Sequence, residues 1–451
     1  MKKLLYAVLV ATVVIISCTK EDVVLPTLST TKVPSISYEI SESQAKKNLL
    51  NYLGKLEKAS TKSIQSDIQI GSSEIIKIPY TGKRNTRSVK NNIDINIYNF
   101  TLSSPEGKGY ALVSGDIRIP QILIFCEQGT LQDTIFNKGL AKYVENTFQN
   151  LSNFIDEWEA NYAVASTRVA PGRPNLPEQQ LLDTISIKDS IGGDTLYREI
   201  GILSYSFNEL KEVFVPVQWG QGAPYNNNVP MTCNSGKAPA GCVAIAMAQI
   251  MAYHKYPPTY NWDLLTSKKQ IDTYSSEDAT RRIEVARLIA DIGSKVHMRY
   301  DCYGSGSNIY DANAAFTGYG YKTYGVTPFS IYHEIPGEYG RYHKVYHFNS
   351  PIYLRGVNDD DEGHAFVADG RATYIQALWI VQDKYYRGQY VTTDLIFAMP
   401  ITWGDVGLYL HINWGWYGSS NGWYIFANLS KNDINDFYRD MKVIYDITPN
   451  K

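Results

Sequence analysis

Read by the spacing of its apolar residues, the chain divides into blocks of different period. Residues 42–57 carry Ala45, Leu49, Tyr52 and Leu53 at helical spacing behind Ser41-x-x-Gln44, a capping-box pattern, which predicts an amphipathic helix. The runs IDINIYNFTL, GKGYALVSGD and QILIFCEQG that follow are bounded by turn residues and predict an antiparallel sheet packed on that helix. Ahead of them the basic, Ser- and Asn-containing stretch 81–93 reads as an exposed loop. Helical spacing returns over 138–163, through Leu140, Tyr143, Val144, Phe148, Leu151, Phe154, Ile155 and Trp158. It stops at STRVAPGRPNLPEQQ, residues 166–180, whose prolines and arginines predict an exposed linker open to proteolysis.

From about residue 205 the pattern is globular again. The stretch APAGCVAIAMAQIMAYHKYP, residues 238–257, has almost no polar face, and a helix apolar on every side must be buried. GHAFVADG (363–370) and YLHINWGWYGSSNGWYIF (409–426) place His364 at the start of one strand and Asn413 at the end of another. Helices and antiparallel strands in separate runs predict an α+β architecture.

Composition narrows the picture. A chain of 451 residues suits two or three domains, and 44% hydrophobic with 20% charged residues is globular. A net charge of −2 gives no basic field for nucleic acid, which is excluded as a partner. Lys2 and Lys3 precede the apolar stretch 4–16, which is too short to span a bilayer and reads as a signal peptide, residues 1–17. Ile15-Ile16-Ser17-Cys18 resembles the lipobox of bacterial lipoproteins, which makes Cys18 the lipidation site and residues 18–35 a tether to the membrane. Lys20-Glu21-Asp22 is similar to the tag of some surface lipoproteins of the Gram-negative outer membrane.

Removing Cys18 leaves Cys126, Cys233, Cys242 and Cys302 in an oxidising compartment, where two disulfides are possible. Their spacing matches no disulfide framework and no zinc pattern, so a lone functional thiol is the better reading, with no metal and no cofactor. Cys302, in the Gly/Ser loop YDCYGSGSN, is expected to be inert. Gly241 marks the entry to the buried helix and Cys242 stands at its first turn, where unpaired N–H groups and the helix dipole favour thiolate. Such positions bring a thiol pKa from roughly 8.5 down to roughly 3.5–7.5. A thiol nucleophile needs a base, and the base an orienting group; Cys242, His364 and Asn413 stand in that order.

GCVAIAMAQIM, GHAFVADG, HINWGW and QWGQGAPYN together resemble the streptopain family of cysteine peptidases, papain-like in fold, and GKGYALVSGDIRIPQILIFCEQG resembles that family's inhibitory prodomain. The resemblance implies a two-subdomain catalytic domain, a buried helix carrying Cys and an antiparallel sheet carrying His and Asn, preceded by a small α+β prodomain. It implies Cys242 as nucleophile, His364 as general base, Asn413 orienting the imidazole and Trp414 shielding that bond. Gln221 becomes the side-chain oxyanion donor, with Gln218 the alternative, and Trp416 lines the cleft. His254, His297, His343, His347 and His411 have no motif support, and Asp369 is expected to be structural. The sequence departs from the family in an insertion, 371–407, and in Tyr417, which stands where the family has glycine and is expected to crowd the site around Trp416.

The resulting expectation is a lipid-anchored zymogen: prodomain 36–135, helix and activation linker 136–204, peptidase 205–451. Its partners are protein or peptide substrates, its own prodomain as intramolecular inhibitor, and the membrane through Cys18. The family implies an apolar preference two positions before the cut. The alternatives are a catalytically silent surface-binding protein on the same fold, or a transglutaminase-like acyl transferase.

Overall fold

In the computed structural model, residues 38–59, 68–81, 94–165, 181–192, 194–211, 213–329, 348–357, 362–400, 407–427 and 439–450 are described. Cys18, the signal peptide and tether, nearly all of the 81–93 loop, the 166–180 stretch, His343 and His347 lie outside them.

The N-terminal region starts with α1 (Glu42–Ala59), where the Ser41 hydroxyl accepts the Gln44 amide at 3.3 Å. Ala45, Leu49, Tyr52 and Leu56 are buried at successive helical turns, as an amphipathic face requires. The sheet beneath it runs β1 (Gln69–Pro79), β2 (Asp94–Ser104), β3 (Gly107–Ser114), β4 (Ile122–Cys126), all antiparallel, and α2 (Lys138–Ala165) follows. The sequence pattern predicts the last three strands but not β1, an edge strand without a buried residue and so without a clean alternation to read.

Residues 181–204, expected in the activation linker, form a hairpin with residues 205–211, expected to open the next domain: β5 (Leu181–Gly192) and β6 (Thr195–Lys211). The short hairpin β7 (Thr232–Cys233) and β8 (Gly236–Lys237) precedes α3 (Cys242–His254), in which every residue from Cys242 to Ala252 is buried. Around α3 pack α5 (Ala279–Lys295) and α6 (Ile309–Gly318), with α4 (Trp262–Leu265) against α5. Strands β9 (Tyr321–Lys322) and β10 (Val326–Pro328) lead to the second half: β11 (Ile352–Val357), β12 (Gly363–Tyr386), β13 (Gln389–Pro400), β14 (Gly407–Asn413), β15 (Gly422–Ala427), β16 (Arg439–Ile444) and β17 (Thr448–Pro449).

Among the described residues these strands join in the order β1-β2-β3-β4-β15-β14-β12-β11-β16-β10. The N-terminal sheet is therefore continuous with the second one, through Phe125 opposite Trp423 and Ile124 opposite Tyr424. Gly422 makes this join possible, since a Cβ there would lie 2.3 Å from the Phe125 carbonyl oxygen. The part of the sheet that carries His364 is buried on both faces: Tyr353, Ala365 and Val367 pack with α3, whereas Leu354, Phe366 and Ala368 pack in the core shared with the N-terminal region. Two-sided burial is why GHAFVADG reads as a continuous apolar run.

The insertion 371–407 holds the far half of β12 together with β13, and β6 pairs with β12 from Arg371 opposite Lys211 to Tyr386 opposite Thr195. The segment upstream of residue 213 and the insertion 371–407 thus make one accessory sheet, β5-β6-β12-β13. The hairpin tips are tied where the Arg387 guanidinium donates to Asp194 at 2.9 Å.

Cysteine pairing also departs from the sequence reading. Cys233 and Cys302 form a disulfide with Cα atoms 5.8 Å apart, bridging the β7–β8 hairpin to the loop after α5. Sixty-nine positions separate them, and only the packing of those two loops brings them together. Cys126 and Cys242 remain free thiols.

Candidate active site

Gly241 has φ 91°, the left-handed region, and a side chain there would meet Met298 at 2.7 Å and the Ser305 carbonyl at 3.1 Å. The chain turns on this glycine and enters α3, which puts Cys242 at the first helical residue. Its thiol is 9% exposed. The sequence predicts a thiol pKa lowered by the helix N-terminus, but here burial pushes it up and outweighs the opposing hydrogen bonding from the backbone N–H groups of Ala365, Val243 and Cys242 itself. The Ala365 amide belongs to β12, so the thiol lies against the strand that carries His364 on the preceding residue.

His364 is 8% exposed, and burial lowers its pKa to about 4 despite the bond to Trp414. Its ring stacks against Trp416 with centroids 5.7 Å apart and against Trp414 at 6.3 Å. His364 Nε2 lies 3.1 Å from the Trp414 carbonyl oxygen. A carbonyl only accepts, so Nε2 carries the hydrogen and Nδ1 keeps the lone pair that can take a thiol proton.

The hydrogen bond expected from the Asn413 side chain therefore comes from its neighbour's main chain. Asn413, the last residue of β14, donates its amide to the Val217 carbonyl at 3.0 Å and accepts the Gly415 N–H at 3.2 Å, bracing the start of the tight loop from which the Trp414 carbonyl projects. Trp414 is fully buried; its amide donates to Asn421 Oδ1 at 2.9 Å and its indole to the Tyr424 hydroxyl at 3.1 Å. Asn421 and Tyr424 were not singled out by the sequence reading, although polar groups inside the aromatic run NWGWYGSSNGWY were the available signal.

Gln221 is half-buried, and its carbonyl accepts the Ala240 N–H at 2.8 Å, which fastens its loop to the turn before Cys242. The Gln218 side-chain oxygen accepts from Gln270 at 3.2 Å. Tyr417, expected to crowd the site around Trp416, packs on the Gln221 segment: its hydroxyl accepts the Gly222 N–H at 2.7 Å. Asp369 pairs with His411 at 2.6 Å and not with His364. His254 packs edge-on against Tyr253 and Tyr321, and His297 is largely exposed.

The N-terminal region reaches this site through the loop 418–421. The Ser420 amide donates to the Gln128 carbonyl at 2.9 Å, and the Ser419 and Ser420 hydroxyls donate to the Asp133 carboxylate. Because Asn421 holds Trp414 and Trp414 holds His364, N-terminal contacts lie three links from the imidazole. Behind Asn413 a cavity of about 350 Å³ is lined by Glu106 and Glu127 from the N-terminal side and by Lys269, Asp369 and His411 from the other. Burial raises the Glu127 pKa there.

Comparison with known proteins is consistent with this arrangement. Residues 219–259 and 258–424 match the peptidase C10 family, and residues 37–151 match the Spi protease inhibitor. The chain is 23% identical over 368 residues to streptopain of Streptococcus pyogenes serotype M1, covering 73% of each. It is also 23% identical over 353 residues to the thiol protease/hemagglutinin PrtT of Porphyromonas gingivalis, covering 72% of this chain and 33% of that protein. A Prevotella intermedia prointerpain A fragment superposes with a TM-score of 0.42 at 17% identity, over 84% of this chain and 100% of that one. The chain thus carries an α+β, papain-like cysteine-peptidase domain of the peptidase C10 (streptopain) family behind an inhibitor-like prodomain region.

Proposed function

We propose that the chain is an exported, lipid-anchored zymogen whose peptidase acts through Cys242 and His364. His364 Nδ1 takes the Cys242 proton, and the thiolate sulfur attacks the scissile carbonyl carbon. The Cys242 backbone N–H and the Gln221 amide stabilise the oxyanion. The C–N bond then breaks as the imidazolium gives its proton to the leaving amine, and a thioester remains. Water, losing a proton to His364, hydrolyses that thioester and restores the thiol.

The observation that carries this reading is the placement of a free thiol at the start of buried α3 against the strand bearing His364, whose other nitrogen is fixed by a carbonyl. The two pKa directions support latency: burial disfavours both thiolate and imidazolium, so the intact chain favours the neutral pair. Admitting water to the cleft would favour the charged pair. The anchoring part of the proposal rests on Lys2, Lys3, the apolar run and Ile15-Ile16-Ser17-Cys18.

The test is hydrolysis of labelled casein under reducing conditions by the full-length chain, by the same chain after limited trypsin treatment, and by Cys242→Ala of each. Activity that appears on nicking and is absent in both alanine samples supports a latent thiol peptidase. Equal activity before and after nicking removes the latency claim, and activity surviving Cys242→Ala removes the nucleophile. Fractionating the expressing cells in the same experiment tests the anchor: wild type should pellet with membranes and Cys18→Ala should not.

A further inference from the structure

Tyr417 is an aromatic residue at φ 55°, a left-handed conformation that such residues rarely adopt. A costly backbone conformation persists where the surroundings over-determine it, and here they do. The Tyr417 amide donates to the Trp219 carbonyl at 3.2 Å, its carbonyl accepts from the Gln270 side chain at 2.6 Å, and its ring lies 5.7 Å from that of Tyr225. The hydroxyl accepts the Gly222 N–H at 2.7 Å and donates to the Ala223 carbonyl at 3.4 Å. The ring covers two glycines: a Cβ on Gly220 would lie 2.4 Å from its carbons, and one on Gly222 would lie 2.6 Å from its hydroxyl oxygen.

Gln221 stands between those glycines. Its carbonyl is tied to Ala240 on the Cys242 side, and the next amide is tied to the Tyr417 hydroxyl on the His364 side. The loop carrying Tyr417 also carries the Trp414 carbonyl that fixes His364. One aromatic side chain thus links the loop next to His364 to the loop that carries Gln221.

We propose that Tyr417 is a positioning residue that sets Gln221 for oxyanion stabilisation, an inference that rests on the peptidase reading above. Oxyanion donors act by being fixed before charge develops, and small misplacements are expensive in rate. Removing the hydroxyl while keeping the ring should therefore slow turnover more than it alters substrate binding.

The experiment compares the trypsin-nicked full-length chain with its Tyr417→Phe and Tyr417→Gly variants, measuring kcat and KM on labelled casein and the rate of Cys242 alkylation by iodoacetamide. Alkylation consumes the thiolate without forming an oxyanion, so it reports the nucleophile alone. Tyr417→Phe should lower kcat about tenfold with KM within about twofold and alkylation unchanged. Tyr417→Gly, which relieves the backbone but loses the ring, should fall further. A Phe variant with wild-type kcat overturns the proposal, as does a kcat loss matched by slower alkylation, which would mean a general disturbance of the site. A wild type that alkylates at Cys242 but hydrolyses nothing overturns the peptidase reading and this inference with it, and is distinguished from the first failure by the wild-type control.

Discussion

His364 on β12 and His411 on β14 lie on paired strands of one sheet, yet their surroundings differ in kind. His364 has aromatic rings on its faces and a main-chain carbonyl at Nε2, so burial works against its charge. His411 donates from Nδ1 to Asp369 Oδ1 at 2.6 Å, a fully buried carboxylate whose other oxygen has no partner among the described residues. The first environment fixes the ring's orientation and tautomer through an uncharged acceptor, which can stay bonded while the imidazole gains and loses a proton, as a base requires. The second commits the imidazole to a carboxylate. A histidine beside an aspartate is often taken as the catalytic arrangement, but under the proposed mechanism that pair is the structural one.

The largest effect that tests the contrast is on turnover. His364→Ala in the nicked chain should lower kcat by about 10³-fold, within the usual range for losing general acid–base catalysis. His411→Ala should leave kcat within a few-fold but strand Asp369 as a buried carboxylate without its hydrogen-bond donor, costing about 3 kcal/mol of stability. Casein kinetics and urea denaturation of the two variants read both quantities. Large turnover losses in both would mean that the His411 pair also serves the chemistry.

These roles were only partly legible in the sequence. The elements that carry Cys242 and His364 could be placed because α3 is apolar all round and β12 is apolar on both faces, whereas their proposed roles came from the order of the motifs and the family resemblance. The Trp414 carbonyl could not, because a main-chain acceptor leaves no residue-type signal and the natural guess is the amide side chain next to it. The disulfide and the β6–β12 pairing were hidden for another reason: each depends on which distant loops or strands become neighbours, and a two-residue strand or a proline-led hairpin carries no mark of its partner. Tyr417 was visible as a departure from the family glycine, but its contact with Gly222 required the fold.

The next effect is on stability against pH. In the unfolded chain an imidazole takes a proton near pH 6.5, whereas folded His364 resists until about pH 4. The folded pKa is the lower one, so the unfolded chain binds more protons in that window and stability falls as pH falls from 6.5 to 4. At about 1.4 kcal/mol per unit, this approaches 3 kcal/mol. Urea midpoints of the intact chain measured across that window should drop, and His364→Ala should show a shallower slope. An unchanged slope would mean that other groups carry the acid sensitivity and that His364 is less desolvated in the latent chain than its aromatic surroundings imply.

The smallest effect concerns the prodomain's hold on the His364 side. Asp133 accepts hydroxyls from Ser419 and Ser420 at the base of the loop whose Asn421 supports Trp414, and the carboxylate is only part-buried. Replacing it by Ala should weaken this clamp by about 1 kcal/mol after allowance for solvent screening, a factor of about five in the opened fraction. The β4–β15 ladder and the shared core remain, so the variant should stay latent in the casein assay yet alkylate at Cys242 about fivefold faster before nicking. The His411 side supplies the comparison: Glu127 lines the cavity behind Asn413 and is not the carboxylate that accepts the Ser419 and Ser420 hydroxyls. If Glu127→Gln speeds alkylation as much as Asp133→Ala does, access to the thiol follows the looseness of the whole junction. If only Asp133→Ala speeds it, the route from prodomain to catalytic imidazole runs through the loop that Trp414 and Asn421 share.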